Sequence, residues 1–163
     1  MQPDDSTDAA VMPLRSMSDG VVTIRPPEPG DSAKLIAGRD EEWRRWLGPG
    51  DDDPRPTACI VVDGEVVGWV DFDPAAAHLQ PGEVNLGYNV FAPHRGNGYA
   101  SRAVELLLRY LDACTPFDTA SVSIDAENTA SLAVAARTRF VLSGDPHSNS
   151  LDFKRPVCWP HRL

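Results

Sequence analysis

Residues 83–101 read EVNLGYNVFAPHRGNGYAS. Over Glu83 to Val90, apolar and aromatic residues alternate with small or polar ones, a period of two that predicts a strand. From Gly98 onward the period changes: Ala100, Ala103, Val104, Leu107, Leu108 and Leu111 recur every three or four residues, which predicts a helix to about Asp112. Between the two lie Arg95, Gly96 and Gly98. A strand followed by a glycine turn and a helix aims the unpaired N–H groups of the helix's first turn at an anion, which the helix dipole also favours. The two glycines remove side chains that would hold a pyrophosphate away.

Several nucleotide turns have this outline. A P-loop requires G-x-x-x-x-G-K-[ST], and the chain contains no Gly-Lys pair. A dinucleotide turn requires G-x-G-x-x-G close behind a parallel strand. Gly96 to Ser101 comes within one small residue of it, with Asp125 at the end of the next strand. Against it, Phe91 to Arg95 intervene, and the chain upstream reads as a hairpin. A plain corner needing glycine for its geometry is the remaining alternative.

The flanks frame the turn. MQPDDSTDAAVMPLRSMSD (residues 1–19) has little apolar periodicity and reads as a flexible leader, so the domain is expected over 20–163. Val21 to Arg25 predicts a strand stopped by Pro26 and Pro27, with Asp31 as the N-cap of a helix after them. The next segment, DSAKLIAGRDEEWRRWLG, predicts one interrupted or two short helices broken at Gly38. TACIVV and EVVGWVDFD, joined by Asp63-Gly64, predict an antiparallel hairpin. Beyond the central helix, Thr119 to Asp125 predicts a strand, Asn128 caps a short helix to about Thr138, and Phe140–Leu142 with Leu151–Arg155 form a closing pair.

Composition bounds the function. The chain has 163 residues, 42% hydrophobic and 24% charged, enough for one domain with a continuous core. Cys59, Cys114 and Cys158 lack the paired spacing of a zinc or redox site, so reduced thiols and no metal are expected. No apolar run approaches the ~20 residues of a spanning helix and the N-terminus lacks the order of a secretory signal, so a cytoplasmic protein without a membrane partner is expected. The net charge of −9 is spread along the chain, which disfavours direct nucleic-acid binding and suits a cationic partner.

Arg95, Gly98 and Ala100 also spell R-x-x-G-x-A, and here the chain resembles the GNAT superfamily of acyl-CoA-dependent N-acyltransferases. Val90-Phe91-Ala92-Pro93-His94-Arg95 is similar to that family's lead-in. Glu127-Asn128-Thr129-Ala130-Ser131 is similar to its later N-x-x-[AS] element. VTIRPPEPGD and LGYNVFAPHRGNGYASRAV look most like the RimJ/RimL-type branch, whose members acetylate protein N-termini and other amines.

The resemblance implies a single-domain α/β fold with a mixed sheet. Its N-terminal part is antiparallel, a parallel strand pair surrounds the coenzyme A site, and helices flank it. It implies acetyl-CoA as co-substrate, held by Val90, Phe91 and Ala92 along the pantetheine arm and by Arg95, Gly96, Asn97, Gly98, Tyr99, Ala100 and Ser101 at the pyrophosphate. Asn128 and Ser131 complete the site. The activity implied is acetyl transfer to a primary amine, on a protein N-terminus or a small molecule, by a monomer or a homodimer. Another acyl donor such as succinyl-CoA, or a non-catalytic CoA-binding module, are the alternatives. Two departures bear on this. Ala135 stands where many members carry a tyrosine that protonates the leaving thiolate, which shifts that role to Ser131. Arg139-Phe140 replaces the usual Gly-Phe.

An amine with a pKa near ~10.4 must lose a proton before it attacks. Glu83, at the start of the strand leading to the turn, is the expected base, on one strand face with Asn85, Gly87 and Asn89. Asp71 and Asp73 are alternatives for holding a cationic substrate. Ser123 stands where some relatives have a glutamate base. His94 is expected to be an exposed turn residue, and a backbone N–H near Val90 is expected to serve the oxyanion.

Overall fold

The computed structural model describes residues 11–158. Two short antiparallel strands open the chain, β1 (Met17–Ser18) and β2 (Thr23–Arg25), followed by two short helices, α1 (Asp31–Ala37) and α2 (Glu41–Trp46). The hairpin β3 (Ala58–Val62) and β4 (Glu65–Asp73) leads to β5 (Glu83–Val90), a 3₁₀ turn at Ala92–His94 and the long helix α3 (Tyr99–Cys114). Then come β6 (Thr119–Asp125), α4 (Thr129–Arg137), β7 (Val141–Leu142) and β8 (Ser150–Pro156). All eight strands form one sheet in the order β1-β2-β3-β4-β5-β6-β8-β7. Every neighbouring pair is antiparallel except β5 and β6, the mixed α/β architecture the sequence implied.

The apolar stripe of α3 explains the layering. Ala103, Val104, Leu107, Leu108 and Leu111 are buried as their spacing requires, and Leu106 and Tyr110 are buried beside them. They pack on Ile24, Ile60, Val70, Val84 and Leu86 of the sheet, and Ala135 of α4 and Val122 and Ile124 of β6 continue the same core. The opposite face has a smaller cluster of Leu35, Cys59, Val66 and Phe91. Gly68 belongs to β4 because a Cβ there would lie 2.1 Å from the carbonyl oxygen of Asn89, so only glycine lets β5 approach.

Tyr110 also accounts for the first difference from the sequence reading. Within the expected leader, residues 1–10 lie outside the described residues, but residues 11–19 are packed. The Tyr110 hydroxyl donates to the Met12 carbonyl at 2.6 Å, the Met12 N–H donates to the Cys114 carbonyl, Leu14 is buried, and Met17–Ser18 pair with β2. Asp31 is the second. Gly30 precedes α1, and Asp31, inside its first turn, is buried with its carboxylate 2.6 Å from Arg25 and 2.7 Å from the Glu28 N–H. The Arg25 hydrogen bond, against burial, holds it down at about 2. Arg139 adopts φ 66°, a left-handed conformation that favours glycine.

Candidate functional site

The regular β4–β5 register fixes which way β5 turns its main chain. The Phe91 N–H donates to the Val67 carbonyl at 2.8 Å, so in an antiparallel ladder residues 85, 87, 89 and 91 face β4 while Leu86, Tyr88 and Val90 face β6. The pairing of β5 with β6, however, runs only from Glu83↔Thr119 to Asn85↔Ser121. Beyond Asn85 the two strands part, and the main-chain groups of Tyr88 and Val90 look into the gap.

A cleft of about 270 Å³ opens at that gap. Tyr88, Asn89 and Val90 form its floor, and Gly96, Gly98, Tyr99, Ala100 and Ser101 form the wall where α3 begins. Asn128 and Ser131 of α4 face them, with Trp43 and Trp46 of α2 at the far side. The turn is built as its sequence demands. Gly96 (φ 82°) and Gly98 (φ 78°) are both left-handed, and a Cβ at either would meet nothing within 4 Å. Gly98 begins α3 without a side-chain cap and no acidic residue occupies the first turn, so the N–H groups of Tyr99, Ala100 and Ser101 point out of the helix end. Ser101 Oγ is buried without a hydrogen-bond partner among the described residues.

Arg95, placed at the pyrophosphate by its motif position, is held by three residues. Its Nε donates to the Val90 carbonyl at 2.8 Å, Nη1 to Asp40 at 2.6 Å and to Glu42 at 3.0 Å, and Nη2 to Asp40 at 3.2 Å. Asp40 is the N-cap of α2, accepting from the Trp43 N–H, and the Arg95 hydrogen bond lowers its pKa against burial. The guanidinium, which also lines the cleft, therefore ties the turn, the end of β5 and α2 together. Asn128 likewise caps α4, its Oδ1 accepting from the Ser131 N–H at 3.2 Å, which sets Ser131 on the cleft wall.

Phe91 is buried in the small cluster with Leu35 and Cys59, and Ala92 lies exposed in the 3₁₀ turn. The exposed Asn97 uses its amide to hold the turn, donating to the His94 and Arg95 carbonyls. His94, expected to be exposed, is half-buried on the cleft with Nε2 3.8 Å from Glu65. Glu83 lies roughly 23 Å along β5 from Val90 at ~3.3 Å per residue. Its carboxylate is buried, 2.8 Å from Lys154 Nζ and 2.8 Å from the Gln80 N–H. Burial raises its pKa, but the Lys154 and Gln80 hydrogen bonds and the charges of Lys154 and His78 together hold it below the usual range. A carboxylate so paired is a weak proton acceptor, contrary to the role expected of it. Asp71 accepts from the Thr57 N–H and hydroxyl, and Asp73 from the Ala75 N–H.

Tyr88 is a cleft residue the sequence did not single out. Its hydroxyl crosses from β5 to donate to the Ser131 carbonyl at 3.0 Å, and burial pushes its phenol pKa up. Strand alternation sets it on one face with Val84, Leu86 and Val90. The signal that would have exposed its role, the end of β5–β6 pairing, is not local to either strand. The Ala135 methyl is buried in the core, so the place of the absent tyrosine is filled by packing.

A family model for the acetyltransferase (GNAT) domain matches residues 52–141, which include the hairpin, the turn, α3 and α4. The chain belongs to the GNAT acetyltransferase family. No curated protein matches it. Among solved structures, the GNAT acetyltransferase from Bacillus anthracis is 18% identical with a TM-score of 0.72, covering 87% of this chain and 98% of that one. The ribosomal L7/L12 alpha-N-protein acetyltransferase RimL in complex with coenzyme A is 15% identical with a TM-score of 0.71, covering 87% and 98%. Mycobacterium smegmatis RimJ in complex with CoA-disulfide is 22% identical with a TM-score of 0.68, covering 90% and 86%. These likenesses establish a GNAT fold over nearly the whole described chain.

Proposed function

We propose that this GNAT domain transfers an acetyl group from acetyl-CoA to a primary amine, on a protein N-terminus or a small molecule, in the cytoplasm. The observation that carries the reading is the meeting of two unsatisfied surfaces in one cleft: the uncapped start of α3 behind Gly96 and Gly98, and the β5 main chain beyond its last pair with β6. The donor set fits coenzyme A. The N–H groups of Tyr99, Ala100 and Ser101 and the orphaned Ser101 hydroxyl suit a pyrophosphate, and the Tyr88 main chain suits an extended amide arm that lies alongside like an added strand. When bound, acetyl-CoA supplies an activated thioester. The Val90 N–H is positioned to stabilise charge on an acyl oxygen in the gap, and Ser131 is the hydroxyl nearest the role of the missing tyrosine.

The buried Ala135 favours one second reading, a CoA-binding module without transfer activity. Thiol release separates the two. The protein is mixed with acetyl-CoA and, in turn, spermidine, kanamycin and an unblocked hexapeptide. Amine-dependent thiol release is the expected result. Tight acetyl-CoA binding without thiol release for any amine refutes transfer and leaves the binding module.

A further inference from the structure

With Glu83 tied to Lys154, the acceptor's proton needs another destination, and the sheet face opposite α3 and α4 supplies one. In register, Asn85 neighbours Ser121, Ser121 neighbours Lys154, and Ser123 neighbours Asp152, so these side chains share one face where β5 and β6 begin to part. His147 sits in the turn between β7 and β8. That turn is closed by two backbone hydrogen bonds between His147 and Ser150, and His147 Nε2 lies 2.9 Å from Asp152 Oδ2. The imidazole is thus fixed from both its main chain and its ring, half-exposed above the face.

Burial raises the Asp152 pKa, but the hydrogen bonds of His147 and Ser123 and the charges of His147 and His78 together lower it. An ionised Asp152 accepts from Nε2–H and leaves Nδ1 as the basic nitrogen. Two more observations point to a ligand on this face. Asn85 Oδ1 and the Oγ of the fully buried Ser121 have no hydrogen-bond partner among the described residues, and both can accept from N–H.

We infer that His147, oriented by Asp152, takes the proton from a cationic amine acceptor on the β6 side of the gap. The inference rests on the transferase reading. One proton passes from the ammonium to His147 Nδ1, directly or through one water, and the freed electron pair forms the C–N bond to the acyl carbon. The C–S bond breaks with its pair on sulfur, the second nitrogen proton passes to that thiolate, and the imidazolium returns its proton to solvent. His147 is then the catalytic base and Asp152 a positioning residue. The other charged groups around the pair are the Glu83–Lys154 ion pair, His78 in the β4–β5 loop, and Asp125, which accepts from Asn149 of the same turn.

The test measures kcat/KM for the best amine of the panel across about pH 6 to 10 in the wild type, His147→Gln and Asp152→Asn, with acetyl-CoA affinity by calorimetry. His147→Gln is expected to lose about 100-fold at neutral pH, a deficit that shrinks as the amine deprotonates unaided, with acetyl-CoA affinity unchanged. Asp152→Asn is expected to lose less, with the same dependence on pH. A wild-type-like profile in His147→Gln, a loss equal at every pH, or a parallel loss of acetyl-CoA affinity overturns the assignment while leaving acetyl transfer intact. Absence of thiol release by the wild type overturns both.

Discussion

Gly98 offers two substitutions whose order is reversed between folding and binding. At φ 78° any L side chain is strained by about 1–2 kcal/mol, although its Cβ would meet no atom within 4 Å. Gly98→Ala should therefore lower stability by about that amount, a fall of a few degrees in Tm for a chain of this size. Gly98→Asp carries the same class of strain, but aspartate tolerates the left-handed region better, and its charge sits at the uncapped start of α3, where it stabilises the helix by about 0.3–1 kcal/mol. The unliganded aspartate variant should thus be at least as stable as the alanine variant. For acetyl-CoA the order reverses. A carboxylate about 4 Å from a phosphate charge costs about 4 kcal/mol at an effective dielectric of about 20, and screening in an open cleft reduces this to about 2–3 kcal/mol. The expected loss of affinity is about 30- to 150-fold, read by calorimetry beside thermal unfolding of both variants. If Gly98→Asp binds acetyl-CoA within threefold of Gly98→Ala, the start of α3 is not the anion site.

Three further outcomes are expected from the geometry. Asp31, held at about 2 in the fold against an ordinary 3.8, contributes about 2 kcal/mol above pH ~4 that is lost as pH falls through about 2. Urea unfolding should show wild-type stability falling over that interval and Asp31→Asn, already weaker, changing less; parallel curves would contradict the Arg25 pair. Replacing Arg95 by lysine breaks the fork that joins Val90, Asp40 and Glu42, and should cost about 1–2 kcal/mol after allowance for exposure. Acetyl-CoA affinity should fall with it as the turn loosens from α2, and unchanged affinity would refute that coupling. The Cys59 thiol, pushed up to about 12 by burial and by Asp31, should resist iodoacetamide at about pH 8 in the native protein, as peptide mass mapping would show; rapid labelling would place it outside the core.

Local chemistry made much of this legible. The Asp63-Gly64 turn, the three- and four-residue stripe of α3 and the Asn128 cap each act within a few residues, and each appears where the sequence placed it. What escaped depends on partners far along the chain. Residues 11–19 look like a leader because their contacts, Tyr110 and Cys114 of α3 and Thr23 and Ile24 of β2, contribute nothing to their own periodicity. Glu83 looks like a free carboxylate until Lys154 arrives from 71 residues away, and Arg95 looks unpartnered until Asp40 arrives from 55.

The same distinction accounts for the cleft itself. A parallel pair that continued from Asn85↔Ser121 to the end of β5 would satisfy the main chain of Leu86, Tyr88 and Val90 and close the site. Leaving such groups without partners costs about 1–3 kcal/mol each where water cannot replace them, so the parting must be held by other contacts. Side-chain hydrogen bonds do so from either side. The Tyr88 hydroxyl reaches the Ser131 carbonyl and keeps the first turn of α4 beside the gap, and Arg95 takes the Val90 carbonyl while holding α2 across the turn. A segment with amide groups laid alongside β5 would continue the interrupted ladder. The sheet is thus built one strand short at the point where α3 aims its first N–H groups, so on the proposed reading the donor is met by backbone and the acceptor by side chains such as His147.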